Sequence, residues 1–297
     1  RMLVVNPPLF PDEKIDEFYD CSFEKKPHPD YKKPIPAYDM IRNSITIHRG
    51  CFGGCTFCSI SQHQGKFTAS RSERSIIKEV RQLSSKSVTD LGGPSANMYR
   101  MKGRDLEKCK ICSRYSCLFP DICRNLDTGH EHLLELYEKV KEHKRVFINS
   151  GIRHELAVLD KSYIEALAEK FTSGILKIAP EHTEKDILKL MLKPEISKYE
   201  EFISLFRKYS KKEQYVVPYL ISSFPGVTKE KAQDMSDYLR INKIRVEQVQ
   251  DFIPLPMTIA ACMYYTERDY FTKNKIYVAK TYRERHQQKK MIQWWKK

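Results

Sequence analysis

Between residue 44 and about residue 256 the chain alternates two textures. Short runs dense in β-branched and aliphatic residues, at 45–47, 88–91, 146–148, 175–178, 215–221 and 246–249, read as strands. Between them apolar residues recur at three and four: Ile76, Ile77, Val80 and Leu83; Leu133, Leu134, Tyr137 and Val140; Tyr163, Ile164 and Leu167; Phe202, Ile203, Phe206 and Tyr209. That spacing puts each set on one face of a helix. Regular alternation predicts consecutive β/α units, and parallel strands joined by right-handed crossovers curl in one direction. The expected fold is α/β, a partial TIM-type (β/α)6 barrel with parallel strands. In such folds chemistry gathers at the carboxyl ends of the strands. Here those ends are the loops near 48–55, 92–97, 149–153, 179–183, 222–226 and 250–256.

The flanks have a different texture. Prolines at 7, 8, 11, 27, 29, 34 and 36 predict an extended, wrapping segment over 1–43, after an apolar opening at 2–5. A start at Arg1 and an end without a recognisable cap lead to the expectation of a piece of a longer protein. Residues 257–297 read as a helical, basic extension. From Arg268 to Lys297 ten Lys or Arg face two acidic residues, interleaved with Tyr270, Phe271, Tyr277, Tyr282, Trp294 and Trp295. Across the whole chain 52 Lys and Arg outnumber 38 Asp and Glu, a net charge of +14. Such an excess favours polyanionic partners, and basic with aromatic residues can hold single-stranded RNA, although a solvated helix face explains the same composition. Trp294 and Trp295 are expected to seal a helix onto the barrel mouth or, alternatively, to meet a missing domain.

Cysteine usage changes the picture. Of nine cysteines, seven fall in two tight groups, 51, 55, 58 and 109, 112, 117, 123, which points to metal rather than to a disulfide framework. No secretory signal pattern and no run of about 18 apolar residues is present, so a soluble protein of the reducing cytoplasm, without a membrane partner, is expected. Cys51, Cys55 and Cys58 share one loop threaded by Gly53 and Gly54. Three thiolates so spaced can converge on three corners of a cubic iron–sulfur cluster, and glycines permit the backbone to wrap it closely. A fourth local cysteine is missing, which leaves an iron open to bind and activate a small molecule. The alternative is a zinc site completed by His48 or His63.

Arg49-Gly50-Cys51-Phe52-Gly53-Gly54-Cys55-Thr56-Phe57-Cys58-Ser59-Ile60 resembles the signature of the radical S-adenosylmethionine (radical SAM) superfamily. More narrowly, with His63-Gln64-Gly65, Ser70-Arg71-Ser72-Glu73, residues 90–99, 150–153, 177–182 and 248–252, it resembles the YgiQ family over nearly the whole chain. The resemblance implies a [4Fe-4S] cluster on Cys51, Cys55 and Cys58 whose open iron chelates S-adenosylmethionine. It implies reductive cleavage to a deoxyadenosyl radical that abstracts hydrogen from an unknown substrate, with a reductant such as flavodoxin or ferredoxin. By the same resemblance Phe57 packs near the adenine, and Gly92 and Gly93 offer backbone to the amino group, Pro94 replacing the usual acidic residue. Glu181 matches a position for ribose or the methionyl end, and Phe252 and Ile253 match positions where backbone meets adenine. Ser150 and Arg153 are further cofactor candidates, Arg153 as a bidentate partner of the methionyl carboxylate.

Cys109, Cys112, Cys117 and Cys123 lie in an insertion at about 100–127. Three readings stay open: a structural zinc site, an auxiliary iron–sulfur cluster, or free or partly paired thiols. Cys21 and Cys262 are expected to be ordinary buried small hydrophobes. His130 and His132 form no metalloprotease spacing, and His182 beside Glu181 is the histidine best placed for a role. Two other functions compete with a radical enzyme: a zinc-stapled RNA-binding protein using the basic extension, and an electron-transfer protein, which the missing fourth ligand disfavours.

Overall fold

The computed structural model describes residues 12–21, 23–211 and 213–296. The apolar opening at 2–5 and the prolines at 7, 8 and 11 lie outside them. Helix α1 (Asp12–Asp20) and helix α2 (Pro36–Ile41) interrupt the lead-in, which corrects the extended segment expected over 1–43. Pro36 opens α2 at the first helical position, where a missing N–H costs nothing. Tertiary contacts hold α1 in place. Ile15 is buried, Asp12 and Asp16 accept the N–H of Ser70 and Ser72 at 2.9 and 3.0 Å, and the Arg71 guanidinium lies 3.8 Å over the Tyr19 ring.

Strand β1 (Ser44–Thr46) is continued by β2 (His48–Arg49), which leaves the sheet to pair antiparallel with β3 (Ala69–Ser70). Helix α3 (Ile60–His63) lies between β2 and β3, and α4 (Glu73–Gln82) follows, its first turn capped where Ser72 Oγ accepts from Ser75 N–H. The expected strand 88–91 is divided at Thr89 into β4 (Ser87–Val88) and β5 (Asp90–Gly92). Strand β5 pairs parallel with β1, and β4 with β6 (Arg145–Val146). Helices α5 (Leu106–Lys110) and α6 (Glu131–Lys141) intervene before β6.

Helices α7 (His154–Ala157) and α8 (Lys161–Ala166), the latter widening into a π-helical turn at Leu167–Phe171, lead to β7 (Ile175–Glu181). A parallel bridge from Ile152 to Ile178 joins the third strand segment to β7. Strand β7 pairs parallel with β8 (Tyr215–Ser222), and β8 with β9 (Val249–Asp251). Helices α9 (Lys185–Met191) and α10 (Ile196–Tyr209) fill the first crossover and α11 (Lys229–Ile241) the second. Each of the six expected strands has a counterpart beside its neighbour in sequence, although the sixth, expected at 246–249, forms at Val249–Asp251. Among the described residues nothing pairs β1 with β9, so no closed barrel forms.

The main core shows why this alternation folds. Ile45, Val88, Leu91 and Ile178 from the strands meet Ile76, Val80, Leu133, Tyr137 and Phe202 from the helices, all buried. Full burial of each such aliphatic side chain contributes on the order of 1.5–3 kcal/mol. Arg71 is buried with them, satisfied by Thr46 O at 2.9 Å, Ser75 O at 3.1 Å and the Glu79 carboxylate, so this part of the quoted motif ties α4 to β1.

Helices α12 (Ile259–Thr266) and α13 (Tyr282–Ile292) end the chain, α13 opening with a capping box between Thr281 and Glu284. Helix α13 lies on α11, where Gln288 Nε2 donates to Val227 O at 2.9 Å and Ser236 Oγ to Met291 O at 2.7 Å. Trp295 Nε1 donates to Val246 O at 3.1 Å, before the amino end of β9. Trp295 therefore sits before the amino end of β9, with Trp294 packed against the cluster of Leu239, Val246 and Val249, rather than at the carboxyl ends of the strands, a correction to the expectation. Cys21 and Cys262 are exposed rather than buried.

Candidate functional site

Turning β2 out of the sheet makes the segment between β2 and β3 an excursion that projects from the carboxyl end of the first strand and carries Cys51, Cys55, Phe57 and Cys58. Several anchors fix it. Cys51 N–H donates to Gly65 O at 3.1 Å, Thr56 Oγ1 to Leu190 O at 2.7 Å, and Cys117 N–H to Phe52 O at 3.0 Å. Gly54 has φ of +60°, and a Cβ there would stand 2.0 Å from Tyr115 O, so only glycine allows the loop to pass the insertion. The expected glycine-threaded wrap thus has a specific neighbour.

Cys51, Cys55 and Cys58 rim one cavity of about 140 Å³ with Phe57, Arg153 and Glu181. Arg153 is buried, donates from Nη1 to Cys55 Sγ at 3.1 Å, and pairs through Nε with Glu155 Oε1 at 2.9 Å. Burial pushes the Cys51 thiol up to about 11 and raises Cys58, the Arg153 charge opposing both. Glu181, at the end of β7 with φ of +74°, is pushed up to about 7 by burial against the pull of Lys193 and Arg153. Lys193 also lines the cavity, its Nζ donating to Ala179 O at 2.7 Å. Larger hollows of about 730 and 670 Å³ lie beside α4 and between the insertion and the carboxyl-terminal extension, away from the thiol triplet.

The remaining expected residues do not line the triplet's cavity. Ser150 N–H and Oγ both bond the Asp90 carboxylate, and a Cβ on Gly92 would come within 2.8 Å of Ser150 Oγ. Gly93 makes room for the buried His48 ring, which a Cβ would approach to 2.5 Å. Phe252 is buried and packs edge-on against Phe224 at 5.4 Å, which packs edge-on against Phe57 at 6.3 Å. Ile253 is exposed. His182 is buried with Nδ1 accepting from Glu184 N–H at 3.0 Å, a turn-forming role outside the cavity.

Lys193, Glu155 and Asn97 were not singled out from the sequence. Asn97 is buried between the loops, accepting from Arg153 N–H at 2.8 Å and donating to Arg153 O at 3.1 Å, and its position within the quoted 90–99 motif was the available signal. Its amide also meets His130 Nε2 at 3.2 Å, while His130 stacks on Tyr163. Cys109, Cys112, Cys117 and Cys123 are brought together around a separate cavity of about 120 Å³. Among the described residues no group of three or more His, Cys, Asp and Glu is arranged to hold a metal ion, and both cysteine sets rim hollows instead.

The model of the Radical SAM superfamily matches residues 45–239, which contain the triplet and every strand from β2 to β8 and begin within β1. The chain belongs to the radical SAM superfamily. The flanks match a Radical SAM N-terminal model over 1–44 and a domain of unknown function, DUF3362, over 247–297. Curated relatives of this radical SAM chain are UPF0313 proteins, the YgiQ group to which the sequence motifs pointed. One from Methanosarcina acetivorans is 43% identical over 98% of this chain and 41% of its own length. One from Rhodopseudomonas palustris is 45% identical over 90% of this chain and 42% of its own length. The chain spans about two fifths of the length of these relatives. A solved structure of the radical S-adenosylmethionine methyltransferase TsrM from Kitasatospora setae, with cobalamin and a [4Fe-4S] cluster bound, shares the fold. Its TM-score is 0.53 at 13% identity, covering 82% of this chain and 40% of that one. The superfamily match favours an enzyme over the RNA-binding alternative. Among the described residues no helix is long and apolar enough to cross a membrane.

Proposed function

We propose that this chain is the core of an enzyme that binds a [4Fe-4S] cluster through Cys51, Cys55 and Cys58 and cleaves S-adenosylmethionine reductively. The observation that carries the reading is the set of three thiols of one loop rimming one cavity at the carboxyl ends of parallel strands, with the Arg153 guanidinium on the Cys55 sulfur. Soft thiols, a buried cation and glycine at Gly54 fit such a group. When bound and reduced, it supplies one electron to the sulfonium, releasing methionine and a deoxyadenosyl radical that takes hydrogen from a substrate.

The chain's own residues bind and orient. Arg153 and Lys193 place positive charge where thiolates and a methionyl carboxylate carry negative charge. Glu181, facing the cavity, is placed to accept from ribose or ammonium donors. Phe57, Phe224 and Phe252 form an aromatic row from the cavity toward the end of β9, where the adenine side is assigned together with Ile253 backbone. Gly92, Gly93 and Ser150 shape the intervening strand ends. In this reading residues 44–256 are a six-strand partial barrel with the insertion at 100–127, and 1–43 and 257–297 are its flanking segments. The electron comes from a reductant of the flavodoxin or ferredoxin class in the cytoplasm.

The test is anaerobic iron and sulfide analysis with electron paramagnetic resonance of the reduced protein, with and without S-adenosylmethionine, for wild type and Cys55→Ala. A signal that shifts with S-adenosylmethionine and is lost from this site in the variant is expected. Zinc in place of iron, or a signal indifferent to both changes, overturns the proposal.

A further inference from the structure

We propose that Cys109, Cys112, Cys117 and Cys123 hold a second iron–sulfur cluster, bound entirely by protein thiolates. This site is independent of the open-iron site and stands on its own geometry.

All four thiols are free and line one cavity of about 120 Å³, although they come from different parts of the insertion. Local turns bring them there. Cys109 sits on α5 and Cys112 just past it, where Cys112 N–H donates to Cys109 O at 3.2 Å. Cys123 N–H donates to Cys117 O at 2.7 Å, closing the second pair. Cys117 and Cys123 also pack against the buried cluster of Phe52, Met101 and Leu126.

The size of the hollow favours a polynuclear group. Structural zinc draws four sulfurs to about 2.3 Å around one ion and leaves no cavity between them. The space here equals about four times the roughly 30 Å³ share of a water molecule, room for a body of several atoms. Both common four-cysteine iron–sulfur clusters are such bodies. The walls are prepared for thiolates as well. Asn125 Nδ2 donates to Cys109 Sγ at 3.2 Å, a hydrogen bond of the kind that tunes cluster sulfurs. A Cβ on Gly103 would stand 2.2 Å from the same sulfur, so the backbone is drawn in to cradle it. Lys66, Lys102 and Lys108 line the cavity; Lys102 and Lys108 are paired with Asp12 and Asp105 at 3.0 and 3.1 Å, and Lys66 lends the site positive charge. The two cysteine groups are neighbours through one residue, because Cys117 N–H bonds the carbonyl of Phe52, which follows Cys51 in the chain.

The test uses the full-length protein reconstituted anaerobically with ferrous iron and sulfide. The variant Cys51→Ala/Cys55→Ala/Cys58→Ala is expected to retain about two to four irons, with equal sulfide, per chain. Its reduced spectrum is expected to ignore S-adenosylmethionine. Adding Cys117→Ser and Cys123→Ser in that background is expected to remove iron and sulfide together. About one zinc without sulfide in the triple variant, or no metal in a triple variant with wild-type circular dichroism, overturns the proposal. If the triple variant does not fold, the wild-type count decides: about six to eight irons support the second site and about four overturn it. The variant Cys117→Ser/Cys123→Ser alone separates the two readings, since the first site survives there if it retains about four irons and a response to S-adenosylmethionine.

Discussion

The pair of Arg153 and Glu155 offers the sharpest test of how the cavity is built. Both side chains are almost wholly buried, Nε lies 2.9 Å from Oε1, and Nη2 bonds the same oxygen. At an effective dielectric constant of about 20, charges at that distance attract by roughly 6 kcal/mol, and desolvation cancels much of this. Removing one partner is different, because it strands the other charge in the interior at a cost of about 3–5 kcal/mol. Arg153→Met is therefore expected to lower the urea midpoint of metal-free protein by roughly 1–2 M, taking a slope near 3 kcal/mol per M. The double variant Arg153→Met/Glu155→Leu, with no stranded charge, is expected to recover most of the loss. The Arg153 charge holds Glu155 down to about 2, so the pair's contribution is complete above about 4.5 and is lost as pH falls through about 2. The gap between wild type and Arg153→Met should narrow over that window. A double variant as unstable as the single, with coupling below about 1 kcal/mol, refutes the reasoning.

Two further outcomes follow from the same interior. Gly54→Ala forces a side chain into positive φ, at about 1 kcal/mol before the contact with Tyr115 O is counted, and is expected to reduce both stability and iron bound on anaerobic reconstitution; unchanged iron content refutes the close approach. Burial holds His48, His154 and His182 neutral, each pushed down to about 3. The unfolded chain then binds more protons below about 6.5, so each histidine removes up to about 1.4 kcal/mol of stability per pH unit between about 6.5 and 3. Urea midpoints that stay constant from pH 7 to pH 5 contradict that burial.

The strand and helix alternation was legible because it is local: Ile76, Val80, Leu133 and Tyr137 repeat at helical spacing and are buried where that spacing predicts. What escaped depends on contacts between distant segments. Helix α1 is weakly apolar, and its place follows from Asp12 and Asp16 meeting backbone donors some 56 to 58 residues away. The division at Thr89 follows pairing across the sheet, β5 with β1 and β4 with β6, which no local pattern encodes. The tryptophans illustrate a different gap, since composition shows that they must be covered but not at which end of the sheet.

The site divides in the same way. The triplet was readable from spacing alone, whereas Lys193, on the far side of α9 in sequence, carries no local signal and becomes informative only when its Nζ is found at Ala179 O. Its presence and that of Arg153 bear on how the thiols are used. In the metal-free interior burial keeps the Cys51 thiol protonated, with its titration pushed up to about 11. Soft metals bind the thiolate, so loading must release protons and leave negative charge in a space where unpaired charge is costly. Two buried cations stand beside the same cavity, Arg153 already paired with Glu155 and Lys193 hydrogen-bonded to Ala179 O. At Lys193 an apolar residue would avoid the desolvation cost, whereas at Arg153 it would strand Glu155, so Arg153 serves the fold as well as the cavity. In the proposed reading Lys193, together with the Arg153–Glu155 pair, supplies the positive charge that thiolates bound to a cluster in this cavity would need.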